Sequence, residues 1–250
     1  TIYADVTTFD VQDLQDDQRN QIKEINSNST ILESINLTGC NALTKINATA
    51  FQNCSNLTSI DLSVCTALHT IGSQAFFECT GLTTITLPSG LTTIGENAFQ
   101  KSALTSVDFS SCTALHTINK IAFELCTALT TVILPASLNS VGDHVFKQCS
   151  KLHTVDLTAC TALTSLGGQE AFMECVSLTA VDLSKCTALH TIGSQAFFEC
   201  TDLTTITLPS GLTTIGASAF QKSALTSIHL SSCTALHTIG SQAFFECTGL

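Results

Sequence analysis

Thirteen Cys in a chain of 250 residues are the first candidates for chemistry, because the thiolate is both a strong nucleophile and a soft metal ligand. Their spacing argues for neither role. Cys54, Cys79, Cys126, Cys149, Cys175, Cys200 and Cys247 each follow a Phe step, and Cys40, Cys65, Cys112, Cys160, Cys186 and Cys233 occupy a second recurring position. No Cys-x-x-Cys occurs, which speaks against zinc. Columns of Cys on parallel segments present parallel Cα–Cβ vectors, a poor geometry for disulfides, and the odd total leaves one thiol unpaired within a chain. The expectation is two ladders of small buried thiols packing like Ala or Val, with no metal and no cofactor.

Of seven His, His69, His116, His190 and His237 share one position in the long copies of a repeat. Two copies of a stacked strand are about 10 Å apart, too far for two imidazoles to share a metal, so these read as surface decoration. A further column runs Asn36, Asp61, Thr86, Asp108, Ile133, Asp156, Asp182, Thr207, His229, beside a column of Ser and Thr. From these the candidate ligand-binding residues are Asp61, Thr84, Thr86, Asp108, Asp156, Asp182, Thr205 and Thr207. Asp156 and Asp182 on successive copies make at best a weak calcium site, since two carboxylates lack a supporting loop. Only Thr84-Ile85-Thr86 and Thr205-Ile206-Thr207 have the paired Thr spacing of an ice-binding face, a remote third option. Catalysis needs a nucleophile, a base and an orienting group in one concavity, whereas this repeat spreads each residue type evenly. No phosphate loop, nucleophile elbow or paired-His motif is present, and the chain is not expected to be an enzyme. The sequons at Asn28, Asn36, Asn47, Asn53 and Asn56 crowd the first quarter and are candidate N-glycosylation sites.

What positions all of these is a repeat of the form Leu-Thr-x-Ile/Val-x-Leu, starting at Leu57, Leu82, Leu104, Leu129, Leu152, Leu178, Leu203 and Leu225. A divergent copy starts at Leu32, and Leu250 opens a further one, giving nine units and a stump. Each unit continues with a second apolar pair such as Leu68 and Ile71, then a small residue and Phe, as in Ala75-Phe76. No unit can enclose a core alone, so stacking is compulsory. Leu57, Ile60 and Leu62 alternate with Ser59 and Asp61 as in a short strand, whose counterparts make a parallel sheet. Pro88, Pro135 and Pro209 follow the strand, and Gly72, Gly95, Gly142, Gly167, Gly193, Gly216 and Gly240 mark the turn before Phe. Long units carry a two-residue excursion with Cys, as in Leu62-Ser-Val-Cys65, where short ones run Leu87-Pro88. Cys186 to Leu250 repeats Cys65 to Leu129 at an offset of 121 residues, five units, a duplication.

Residues 1–31 depart from the template and read as an N-terminal helical cap, with Asp10 at its start and Leu14, Gln18, Ile22 and Ile25 on one face. The solenoid occupies 32–250, with units starting near 32, 57, 82, 104, 129, 152, 178, 203, 225 and 250. Its end at Leu250 reads as an open rung. The balance of 9 basic against 20 acidic residues, net −11, excludes a nucleic-acid surface, and no apolar run is long enough to span a membrane.

The order Leu-x-x-Ile-x-Leu-Pro, Leu-x-x-Ile-Gly-x-x-Ala-Phe, Cys-x-x-Leu, carried almost whole by Leu82 to Phe99, resembles the BspA-like class of leucine-rich repeats. The resemblance covers residues 32–250. It implies a large surface or secreted protein of bacteria or mucosal protists, associated with adhesion to host proteins or other cells.

The expected architecture is α/β: a leucine-rich-repeat solenoid with a parallel β-sheet on one face, short turns and 3-10 or helical pieces on the other, and about nine rungs plus a stump. The expected function is an extracellular or cell-surface recognition module without catalysis, binding a protein or glycan on a host or neighbouring cell along its strand face. The competing expectation is a structural protein that self-associates end to end into filaments through its uncapped C-terminal rung.

Overall fold

The computed structural model describes residues 8–10, 18, 24–25 and 30–250. The chain winds as a parallel β-solenoid of about nine turns in which three kinds of segment stack on their counterparts. In the first, strands such as Ser59–Asp61 and Thr84–Thr86 pair in parallel with Ile60 opposite Ile85. Leu57, Ile60 and Leu62 turn into the core and Ser59 and Asp61 to solvent, as alternation requires. These ladders come in blocks of two or three strands, the longest joining Ser106–Asp108, Thr131–Ile133 and Thr154–Asp156.

The second apolar pair of each unit forms a strand as well, so the solenoid has a second sheeted face. Two-residue strands from Glu24–Ile25 to Thr238–Ile239 join in one ten-stranded parallel sheet. From Lys45–Ile46 to Thr214–Ile215 each places an aliphatic residue such as Ile71, Ile94 or Ile118 inward, and from Thr70 on the residue before it is Ser or Thr.

The third segment overturns the expectation of 3-10 or helical pieces: among the described residues from 30 onward there is none. Instead the Phe segment is bonded across rungs. Gln74, Phe76 and Glu78 donate their N–H groups to the carbonyls of Glu96, Ala98 and Gln100 in the next unit. Between them Ala75, Phe77 and Cys79 close local turns onto Gly72, Gln74 and Phe76. The physical reason is spacing. A helix is about 10 Å across, whereas backbone bonding fixes adjacent rungs about 4.8 Å apart, so helices could stack there only by breaking this ladder. The conformation carries nine pairs of non-glycine residues at φ between 54° and 64°, such as Gln74 with Glu78 and Ile121 with Leu125.

The expected N-terminal helix falls largely outside the described residues. Within them, Thr8–Asp10 pairs with Ser34–Asn36, Gln18 is helical, and Glu24–Ile25 pairs with Lys45–Ile46. Asp10, read as the cap of that helix, and Ile25, read as part of its face, are both in strands.

A column of aromatic rings runs through the core. Phe51, Phe76, Phe99, Phe123, Phe146, Phe172, Phe197, Phe220 and Phe244 stack ring on ring, with centroids 5.1–5.5 Å apart and planes within 19°. Such offset pairs add about 0.5–1.5 kcal/mol each beyond the area they bury. The Gly column has a steric cause: a Cβ on Gly95 would lie 2.5 Å from the Ser73 nitrogen of the rung before. The unit starting at Leu152 holds an extra residue at Gly167-Gly168, where Gly167 takes φ +68°. Asp143 of the preceding unit anchors that bulge, accepting from the Gly168 and Gln169 nitrogens at 2.6 and 3.1 Å.

Candidate functional site

The candidate residues all lie on the strands of the first face and point outward, but they divide by what their side chains already do. In the long units Asp61, Asp108, Asp156 and Asp182 each accept a hydrogen bond through Oδ1 from the backbone N–H two residues on, at 2.8–2.9 Å. Ser63 and Thr158 add a hydroxyl bond of 2.6 Å to Asp61 and Asp156. Each carboxylate thereby starts the Cys-bearing excursion as an Asx turn. In the short units the residue two positions after Thr86, Ile133 or Thr207 is Pro88, Pro135 or Pro209, which has no N–H to satisfy. Asp therefore recurs where a turn N–H needs an acceptor. The bonds from the Thr158 hydroxyl and nitrogen also hold the Asp156 carboxyl below its ordinary range.

Thr84, Thr86, Thr205 and Thr207 differ: they are exposed and their hydroxyls make no hydrogen bond among the described residues. The ladder sets Asp61 beside Thr86 and Asp182 beside Thr207. Two identical Asp–Thr pairs thus stand on the duplicated blocks. Asp108 and Asp156 flank Ile133 instead. Thr at the position before the strand is occupied by structure, since Thr83, Thr130 and Thr204 donate their hydroxyls to the carbonyls of Thr58, Thr105 and Thr179.

Both Cys columns are buried and none of the thirteen Cys is in a disulfide. In the column after Phe, each thiol from Cys79 on donates to the carbonyl of the preceding unit's Phe, as Cys79 to Phe51 at 2.9 Å and Cys149 to Phe123 at 3.1 Å. Where short units replace this Cys, buried Ser102 and Ser223 contact Cys126 and Cys247 at 3.4 and 3.3 Å. Burial pushes Cys126 and Cys160 up to about 12 and Cys112 and Cys186 up to about 11, so all four stand protonated at neutral pH. Among the described residues no three His, Cys, Asp or Glu converge on a metal position.

The His column is exposed. His69 and His237 pair with the hydroxyls of Thr70 and Thr238 at 2.9 Å, and His116 Nδ1 lies 3.0 Å from the Ser137 carbonyl. Of the sequon residues, Asn28 lies outside the described residues, Asn36 accepts from the Thr38 nitrogen at 3.0 Å, Asn47 is half-buried, and Asn53 and Asn56 are exposed. No helix of the described residues is long and apolar enough to cross a membrane.

Sequence reasoning missed one feature of the second face, a groove along the ten-stranded sheet beside the Gly column. Its signal was the Ser or Thr before each inward Ile, Val or Leu from Thr70 on.

No curated protein matches the chain. A leucine-rich cell surface protein from Faecalibacterium prausnitzii is similar at 23% identity over 88% of this chain and 79% of that one, with a TM-score of 0.40. A leucine-rich repeat protein from Bacteroides ovatus is similar at 22% identity over 90% and 81%, TM-score 0.34, and a T. pallidum leucine-rich repeat protein at 21% over 78% and 72%, TM-score 0.47. The pattern of the BspA type leucine-rich repeat region matches residues 44–168 and 167–250 in 6 copies, and the chain belongs to that family.

Proposed function

We propose that this chain is an extracellular or cell-surface recognition module that binds a protein or a glycan on another cell along its first strand face, without catalysis. The observation that carries this reading is the free hydroxyls of Thr84, Thr86, Thr205 and Thr207 beside Asp61 and Asp182 on preformed ladders. Such a surface loses little conformational freedom on binding, and its repetition over the duplicated blocks suits a repetitive or surface-bound partner by avidity. Each contact is weak, so the energy comes from number. The family's surface-displayed relatives support the location.

The test is binding of the labelled chain to arrays of extracellular proteins and glycans, beside a variant carrying Thr84→Glu, Thr86→Glu, Thr205→Glu and Thr207→Glu. The expected result is retention by a definable ligand set, lost in the variant while its circular dichroism and melting are unchanged. A folded variant that binds the same ligands equally well would overturn the assignment to this face.

A further inference from the structure

We infer that the ten-stranded sheet carries a second, separate binding site, a groove that takes a neutral linear oligosaccharide lying along the solenoid axis. Two open surface depressions of about 410 and 370 Å³ on this sheet share Glu96 and Asn119, and so adjoin as one shallow groove from Lys45 to Asp143. It crosses the strands Lys45–Ile46, Thr70–Ile71, Thr93–Ile94, Thr117–Ile118 and Ser140–Val141, a length of roughly 20 Å at about 4.8 Å per step.

Stacking itself makes the groove. Gly72, Gly95 and Gly142 line it at positions where rungs approach too closely for a side chain; a Cβ on Gly142 would sit 2.4 Å from the Lys120 nitrogen. Asn119, which departs from Gly at that position, turns its Nδ2 onto the Ile94 carbonyl at 2.8 Å. Along the groove, the Thr117 and Ser140 hydroxyls are half-buried and make no hydrogen bond among the described residues. They are donors and acceptors held in register without an internal use. At the far end the Asp143 carboxylate is occupied by the Gly167-Gly168 bulge, where the rung geometry changes.

Three properties select the occupant. Charge is the first: the wall residue Glu96 is neutralised by Lys120 at 3.0 Å, and the chain's net charge of −11 repels polyanions. Backbone is the second: the groove lies on a sheet face whose N–H and C=O groups are already in the ladder, so an extended peptide cannot add as a strand. Period is the third. A peptide presents same-side side chains at roughly 6.8 Å, out of step with rungs about 4.8 Å apart, whereas an extended β-1,4-linked pyranose chain, flipped at each sugar, repeats its facing hydroxyls at close to two rungs. Its facing hydroxyls therefore keep step with the ladder that bears Thr117 and Ser140.

This inference uses none of the residues of the strand-face reading, so the two fail separately. The experiment is calorimetric titration of the full chain with β-1,4-linked glucose and N-acetylglucosamine oligomers of two to six units. Affinity should rise at least about threefold per added sugar and level off once the groove is filled. Thr93→Arg with Thr117→Arg, or Ser73→Arg at an exposed lining position, should weaken binding about tenfold or more. The Glu variant of Thr84, Thr86, Thr205 and Thr207 should bind these oligomers as the parent does. No binding, affinity independent of length, preference for extended peptides, or full binding by a folded Arg variant would each overturn the proposal.

Discussion

The thiol of Cys79 donates to the carbonyl oxygen of Phe51 one unit earlier, at 2.9 Å, while the Cys79 nitrogen donates to Phe76 of its own unit. The same arrangement recurs at Cys126, Cys149, Cys175, Cys200 and Cys247. It ties consecutive units together and requires the thiols to be protonated.

One prediction is that the fold is lost in alkali. Burial raises the folded pKa of Cys126 and Cys160 to about 12, above the free-thiol value of about 8.5. Between those values the unfolded chain has lost protons that the folded chain retains, so stability is flat below about pH 8.5 and falls as pH rises. Urea titrations from pH 7 to 11 should show the midpoint constant at first and then dropping steeply. Native thiols should resist alkylation at pH 8, and all thirteen should react in denaturant. Rapid native labelling would contradict the buried ladders.

The Phe column makes a paired prediction. Phe123 stacks on Phe99 and Phe146 and meets Phe109 edge-on at 6.0 Å. Phe123→Ala leaves a gap that the stacked rungs cannot collapse, and should cost about 3–5 kcal/mol. Phe109 occupies the position that Leu62, Leu87 and Leu134 fill elsewhere, so Phe109→Leu should cost less than about 1.5 kcal/mol. Chemical denaturation of both variants checks this, and equal losses would refute the special role of the column.

The Asx turns make the third. Asp61→Ala removes the acceptor for the Ser63 nitrogen and hydroxyl and should cost about 1 kcal/mol. Thr86→Ala, at the corresponding position before Pro88, should cost almost nothing. Asp156 adds a pH dependence: its folded pKa is lowered, so its contribution is present above the unfolded value of about 3.9 and is lost as pH falls through the folded one. Acid titration of Asp156→Asn against the parent should show a smaller loss in the variant.

These residues also show what the sequence made legible. The stacked strands, the buried Cys columns and the Phe step were readable because one residue type at a fixed interval in a solenoid means one environment. The period of Leu57, Ile60 and Leu62 found the first sheet. The second sheet was hidden because two residues, Thr70 and Ile71, are too few to show an alternation. The turn face was misread as partly helical because Gln74 and Glu78 are good helix formers, and nothing local announces that both adopt positive φ. Half of the candidate site carries a second duty that was hidden for a related reason. An exposed Asp looks available, and only the comparison of Ser63 with Pro88 reveals that it serves its own turn.

Positive φ supplies the last prediction. The position held by Gln74, Asn97 and Gln195 is held in one unit by Ile121, a β-branched residue at φ 64°. An L-residue in the left-handed region costs roughly 1–2 kcal/mol, more with a branched Cβ, whereas Asn tolerates it. The Ile121 nitrogen donates to the Asp143 carbonyl at 2.9 Å, so the backbone is held there whatever the side chain. Ile121 is only half-buried, so little apolar area is lost on replacement. Ile121→Asn should therefore stabilise the chain by about 1 kcal/mol in urea unfolding. A destabilisation would show that packing of the isobutyl-sized side chain outweighs the backbone strain.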